Sequence, residues 1–312
     1  MATELPSWSA PVTLAQPDGS PLSATGVETD PCVIKVGRVY HIWITVIEFD
    51  FTLSIYHGWS YTPSTFTMDT RLRLDLGAAY GAETISAVEH FGGLDGYFSR
   101  VEDQSIYDIF TTTTTTSAPR RWHRDYGPVF RRTLDWERPY GGFGGRLEPA
   151  VVKLPPRSPA NLSDITKWVM AYSAFGVYEG IPNYRIGMAF SGNGGIFTQH
   201  PTPVLQAGSG WEDLWIGQPG MCVDSAGVAH LFYQGLNNAG YVPGAEAQPG
   251  KIGHAYGTDF INWTRDTNNP IVSPSYAAIG PCPLIDGNTL RLYYADTNAS
   301  YVGRIKMVTH AI

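Results

Sequence analysis

An acidic residue followed by proline opens an apolar, β-branched run at Asp30-Pro31-Cys32-Val33-Ile34. A second acidic residue stands beside a Gly-Pro step at Arg124-Asp125-Tyr126-Gly127-Pro128. Carboxyl groups fixed at strand starts suit proton transfer, one giving and one taking, provided the fold unites positions far apart in sequence. A third step, Gln218-Pro219, carries an amide where Asp30 carries a carboxylate, and it follows Trp211, Glu212 and Trp215. Indole faces beside carboxylate and amide groups match a ligand with apolar ring faces and many hydroxyls. Structural roles compete at each position. Asp30 can cap the turn before Pro31, Arg124 can pair with Asp125, and Trp211 and Trp215 can wedge neighbouring elements apart.

Other chemistries find little footing. The eight histidines show no His-x-x-x-His spacing and the cysteines no Cys-x-x-Cys, so a zinc site is not indicated. There is no Gly-x-Ser-x-Gly elbow, and Gly141-Gly142-Phe143-Gly144-Gly145 lacks the Lys-Ser/Thr continuation of a phosphate loop. No cofactor is expected; a structural calcium ion is compatible with the sequence without being indicated by it.

The elements that must position these groups are short strands in a repeating order. Prolines at 31, 128, 219 and 281 each open an apolar run that leads through a turn to a second run of β-branched and aromatic residues. Proline is cheapest at such a start, before the hydrogen-bond ladder begins. A second half recurs as Tyr184–Ser191 with Phe197-Thr198, and as Lys251–Asp259 with Trp263-Thr264. Repeats of about four short strands are the signature of propeller blades. The last two marker prolines are 62 residues apart and the first two 97, room for one degenerate unit more. The expectation is an all-β, five-bladed β-propeller in one domain. Its blades cover approximately 30–75, 77–117, 125–208, 217–273 and 280–312, and residues 8–14 close the last. In this reading residues 134–163 form a surface loop inserted between the first two strands of the third blade, and the threonine run 111–116 is an edge strand.

The 312 residues, 43 % hydrophobic and 13 % aromatic, can fill a large core. The net charge of −7 and the lack of basic runs argue against nucleic acid as a partner. No apolar run of 18 residues exists, so membrane insertion is not expected, and Met1–Pro6 lacks the features of a signal peptide. A soluble protein is the expectation; its location and oligomeric state stay open. Three cysteines, Cys32, Cys222 and Cys282, all fall on first strands of units, near the expected axis. They read as small buried thiols, with Cys32 and Cys282 neighbours if the ring closes.

Asp30–Thr45, Tyr184–Thr198 and Lys251–Trp263 together resemble the five-bladed propeller glycoside hydrolases of the family-43 arabinanase and xylosidase group, and more distantly the invertases and levansucrases. The likeness covers nearly the whole chain as a repeat pattern, on short motifs. It implies a carbohydrate partner and an inverting, two-carboxylate hydrolysis of a furanoside or pentose-containing glycan, with the two carboxyls about 6.5–9.5 Å apart. By the resemblance Asp30 is the base. The family's general acid, a Glu before Gly-Pro, matches Tyr126 here, so Asp125 becomes the displaced acid or a stabiliser, with Tyr126, Trp211, Glu212, Trp215 and Gln218 contacting the sugar. The family's third carboxylate falls on Glu83, Glu89 or Asp95. Because Tyr126 is a poor proton donor, a carbohydrate-binding or structural propeller that has lost its acid, such as a surface or virion protein, stands as the alternative.

Overall fold

The computed structural model describes residues 3–312, apart from 51, 74–80, 91, 104–105, 120–121, 131–132, 155–167, 239–248, 275 and 301; the side chains of 70–73, 102–103 and 123–127 also lie outside the description. A short N-terminal strand, β1 (Val12–Thr13), and the nineteen strands that follow it form five groups of four. Blade one is β2 (Val27–Val36), β3 (Val39–Ile47), β4 (Leu53–Ser60) and β5 (Thr67–Arg73). Blade two is β6 (Ala82–His90), β7 (Gly93–Asp103), β8 (Ile106–Thr115) and β9 (His123–Pro128). Blade three is β10 (Gly144–Lys153), β11 (Trp168–Tyr178), β12 (Ile181–Ser191) and β13 (Thr198–Gln199). Blade four is β14 (Trp215–Val223), β15 (Ala229–Leu236), β16 (Lys251–Gly257) and β17 (Thr264–Arg265). Blade five is β18 (Ala277–Asp286), β19 (Thr289–Thr297) and β20 (Gly303–Ala311), with β1 added outside β20 through Val12↔Met307 and Thr13↔Lys306.

The first strands β2, β6, β10, β14 and β18 stand around one axis. Each packs on the next, and β18 packs back on β2. The fold is a five-bladed β-propeller. Five apolar clusters fill the five gaps between blades, with Trp43, Ile85 and Phe110 between blades one and two and Val169, Ile216 and Leu231 between three and four. Strand alternation supplies them, since each blade must present an apolar row on both faces to neighbours about 10 Å away. Trp43 and Trp168 are fully buried in these layers.

Blade three is built differently from the sequence expectation. Gly127-Pro128 does not open an inner strand; it ends β9, which pairs with β8 at the outside of blade two. The inner strand of blade three is β10, inside the segment expected to be a surface loop. Its glycine-rich start hid it. Gly144 and Gly145 sit at φ +107° and +109°, where a Cβ would lie 2.7 Å from the Phe175 carbonyl oxygen and 2.4 Å from that of Tyr107. These two glycines allow β10 to cross against β8, where they pair in parallel with Ile106 and Tyr107. The threonine run lies in β8 as a strand, but β9 covers it and Thr112 is fully buried, so it is not an edge.

Candidate active site

Every inner strand carries a bulge near its start. The pairing slips between Thr29 and Cys32, Glu83 and Ile85, Leu147 and Ala150, Gly217 and Gly220, and Ile279 and Cys282. At each slip one residue adopts a left-handed backbone: Asp30 (φ 42°), Thr84 (47°), Glu148 (57°), Gln218 (50°) and Gly280 (59°). Four of the five are followed by proline, which loses no ladder bond where a bulge has already broken the ladder. Left-handed backbone is costly for residues other than glycine and is held only where the surroundings impose it. A five-fold recurrence at one level of a ring marks a place where the fold aims side chains.

They are aimed at an axial cavity of about 140 Å³, lined by all five bulges and the strand residues after them. Its polar end is formed by Asp30, Thr84, Glu148 and Gln218, and its walls further on by Cys32, Ile34, Val151, Met221 and Leu284. Polar contacts link the bulges into a circuit. The Gln218 N–H donates to Glu148 Oε2 at 3.0 Å and to Ser173 Oγ at 2.7 Å, and the Gln218 side chain accepts from the Gly280 N–H at 2.9 Å. Gly280 in turn abuts Asp30: a Cβ there would lie 2.7 Å from both Asp30 Cα and Oδ1. On the other side the Glu148 N–H donates to Ser99 Oγ at 2.7 Å, and the Thr84 N–H to Thr45 Oγ1 at 2.9 Å.

Asp30 and Glu148 are each only 8 % exposed, and Asp30 Oδ1 is buried with no hydrogen-bond partner among the described residues. Burial pushes the Asp30 carboxyl up to about 6. Burial and then the negative charge of Asp30 push Glu148 up to about 7, against the opposing pull of Ser173 and the Gln218 N–H. Glu83, one residue before the blade-two bulge, is held well above the carboxylate range by loss of water and by the charges of Asp30 and Glu148. Three carboxyl groups from blades one, two and three thus share one electrostatic environment. Carboxyls perturbed by burial and by one another in a cleft are candidates for acid and base roles.

The other anticipated residues divide. Gln218 is at the site. Trp215 opens β14 and packs its ring 5.6 Å from that of Tyr184, a phenol whose ionisation is opposed by burial and by the charge of Glu148. Phe175 and Phe143 continue this aromatic group, 5.1 and 6.1 Å from Tyr184. Trp211, by contrast, stacks on Tyr233 at 5.9 Å and presses on Gly235 and Gly253 within blade four. Glu212 is 3 % exposed and ion-paired with Arg265 at 2.6 Å. Both are packing residues of that blade. Asp125 and Tyr126 lie on β9, the outermost strand of blade two, and their side chains are outside the described residues. Of the three second-blade candidates, Glu83 is the one beside the bulge, while Glu89 and Asp95 sit toward the far end of β6 and β7. Glu148 went unread because its motif, Glu-Pro, sat in an apparent loop; its likeness to Asp30-Pro31 was the available signal. Among the described residues no group of three or more His, Cys, Asp or Glu has the arrangement of a metal site, and no helix is long and apolar enough to cross a membrane.

Solved structures with the same arrangement are numerous. A thermostable family-43 glycoside hydrolase superposes with a TM-score of 0.67 at 15 % identity, over 92 % of this chain and 90 % of that one. A glycosyl hydrolase from Bacteroides ovatus gives 0.69 at 11 % identity, over 99 % and 90 %. The β-1,2-mannobiose phosphorylase from Listeria innocua, in complex with β-1,2-mannobiose, gives 0.67 at 12 % identity, over 92 % and 90 %. The chain has the fold of the five-bladed glycoside hydrolases. No family profile matches it, and no curated protein matches it in sequence. At these identities the likeness establishes the propeller and leaves the chemistry to the residues themselves.

Proposed function

We propose that this propeller hydrolyses a glycosidic bond, with Glu148 as proton donor, Asp30 as base, whose charge helps hold Glu148 protonated, and Glu83 as a third carboxyl beside them. The observation that carries the reading is the equivalence of Asp30 and Glu148, which occupy the same bulge position on the inner strands of blades one and three. Their environments also separate their roles. Near pH 6.5 a carboxyl at about 7 keeps its proton while one at about 6 has released it. Glu148 then protonates the leaving oxygen as the C–O bond breaks, and Asp30 takes a proton from the water that attacks the anomeric carbon.

Trp215 and Tyr184 offer apolar ring faces on which a sugar can stack, and a furanoside or pentose-containing glycan is the substrate class proposed. The alternative of a binding module rested on a missing acid at Tyr126; the Glu148 carboxyl at the inner-strand bulge of blade three supports the hydrolytic reading instead. Phosphorolysis, named for one structural neighbour, needs a cationic site for phosphate, and among the described residues that line the cavity there is no Lys, Arg or His. Assay of a panel of 4-nitrophenyl furanosides and pyranosides tests the proposal. Turnover of at least one, lost in both Asp30→Asn and Glu148→Gln, is expected; no turnover of any would overturn it in favour of a binding role.

A further inference from the structure

Hydrolysis has no use for the cysteines, yet two of them line the same cavity. Cys32 and Cys282 each follow the proline of their bulge, in Asp30-Pro31-Cys32 and Gly280-Pro281-Cys282, so they occupy equivalent places on β2 and β18. These are the inner strands at which the first and last blades meet and the ring closes. Across that seam the Cys282 thiol donates to the Val33 carbonyl oxygen at 3.8 Å. Cys282 Sγ also accepts the Val33 N–H at 3.2 Å, one residue beyond Cys32, and Cys32 Sγ accepts the Ala87 N–H at 3.3 Å. Both are free thiols. Cys222, the third, is buried on β14 without lining the cavity.

We propose that Cys32 and Cys282 form an oxidisable dithiol whose disulfide fastens blade five to blade one inside the channel. The pair is chemically asymmetric. Cys282 is only partly buried and accepts the Val33 N–H, whereas Cys32 is buried. Cys282 is therefore the attacking sulfur and Cys32 the resolving one, the division of labour found in reactive thiol pairs. With a peroxide as oxidant, the Cys282 thiolate attacks one oxygen and becomes a sulfenic acid as the O–O bond breaks and the first water leaves. Cys32 then attacks that sulfur, the S–S bond forms, and the hydroxyl departs as a second water. Two thiols lose two electrons and two protons, and one hydrogen peroxide becomes two waters. A cross-link between residues 32 and 282 spans nearly the whole chain, where the loss of unfolded-state freedom is greatest in the chain-entropy account.

The test uses the intact protein, treated with hydrogen peroxide under native conditions, alkylated with N-ethylmaleimide, digested without reductant and analysed by mass spectrometry. The expected product is one linked peptide pair containing Cys32 and Cys282, two hydrogens lighter than its reduced components, with Cys222 alkylated. The thermal midpoint should rise by roughly 5 °C or more and return with dithiothreitol. Cys222→Ser should retain both effects and Cys282→Ser should show neither. Separate alkylation of Cys32 and Cys282, their separate conversion to sulfinic acids, or a link to Cys222 would overturn the proposal. The readout does not depend on whether any sugar is cleaved.

Discussion

Asp30 and Glu148 are both carboxyls, both nearly buried and both on left-handed bulges, so what separates their ionisation is the company each keeps. Glu148 feels the charge of Asp30 in addition to burial, while Asp30 is raised by burial alone. A base must be ionised and an acid protonated, so kcat/KM should rise as pH climbs through about 6 and fall as it passes about 7, a narrow bell centred between the two. Glu148→Gln should abolish the alkaline limb along with about 10²–10⁴-fold of the rate on substrates with poor leaving groups. Asp125→Asn should leave kcat/KM within about twofold, because its strand, β9, is the outermost of blade two and carries none of the bulges. Steady-state rates across pH 4.5–9 check all three.

At the scale of the strand, the bulge is the device. It rotates one side chain per blade toward the axis, and its glycine member, Gly280, makes room for Asp30. Gly280→Ala would place a methyl 2.7 Å from Asp30 Oδ1 at a φ of +59°. The expected outcome is a loss of about 1–2 kcal/mol of stability from the strained backbone, together with a fall in kcat larger than any change in KM because the base is displaced. Denaturant midpoints and kinetics on the same preparation separate the two effects. The strand scale is also where the sequence was easiest and hardest to read. β2, β14 and β18 announced themselves through Asp30-Pro31, Gln218-Pro219 and Gly280-Pro281, with β-branched or aromatic partner strands directly after. β10 did not, because the glycines that let it cross β8 have the same composition as a loop. The Gly-Pro at 127–128 then stood in for the Glu-Pro at 148–149 as the mark of the third inner strand.

Across the whole ring, the blade count was legible because each unit repeats a pattern that alternation and turn residues make visible. The coming together of Asp30, Glu83 and Glu148 was not, since it depends on closure, and closure is a property of five interfaces at once. Closure also has a thermodynamic consequence. A carboxyl whose folded pKa is raised favours the folded state while protonated, and that advantage is lost as pH rises from the unfolded value toward the folded one. Glu148, moved from 4.5 to about 7, costs the folded protein about 3 kcal/mol above that range. Glu148→Gln should therefore melt higher than the parent at pH 8.5, by on the order of 5 °C, and no higher at pH 4. Such a gain in stability at the expense of turnover is the expected mark of a functional site.

The role of Glu148 as proton donor is tested most directly by leaving-group dependence. An alkyl glycoside needs its departing oxygen protonated and a 2,4-dinitrophenyl glycoside of the same sugar does not. Glu148→Gln should lose at least about 10²-fold in kcat/KM on the first and less than about tenfold on the second. Equal losses on both, or unimpaired cleavage of the alkyl glycoside, would contradict the assignment.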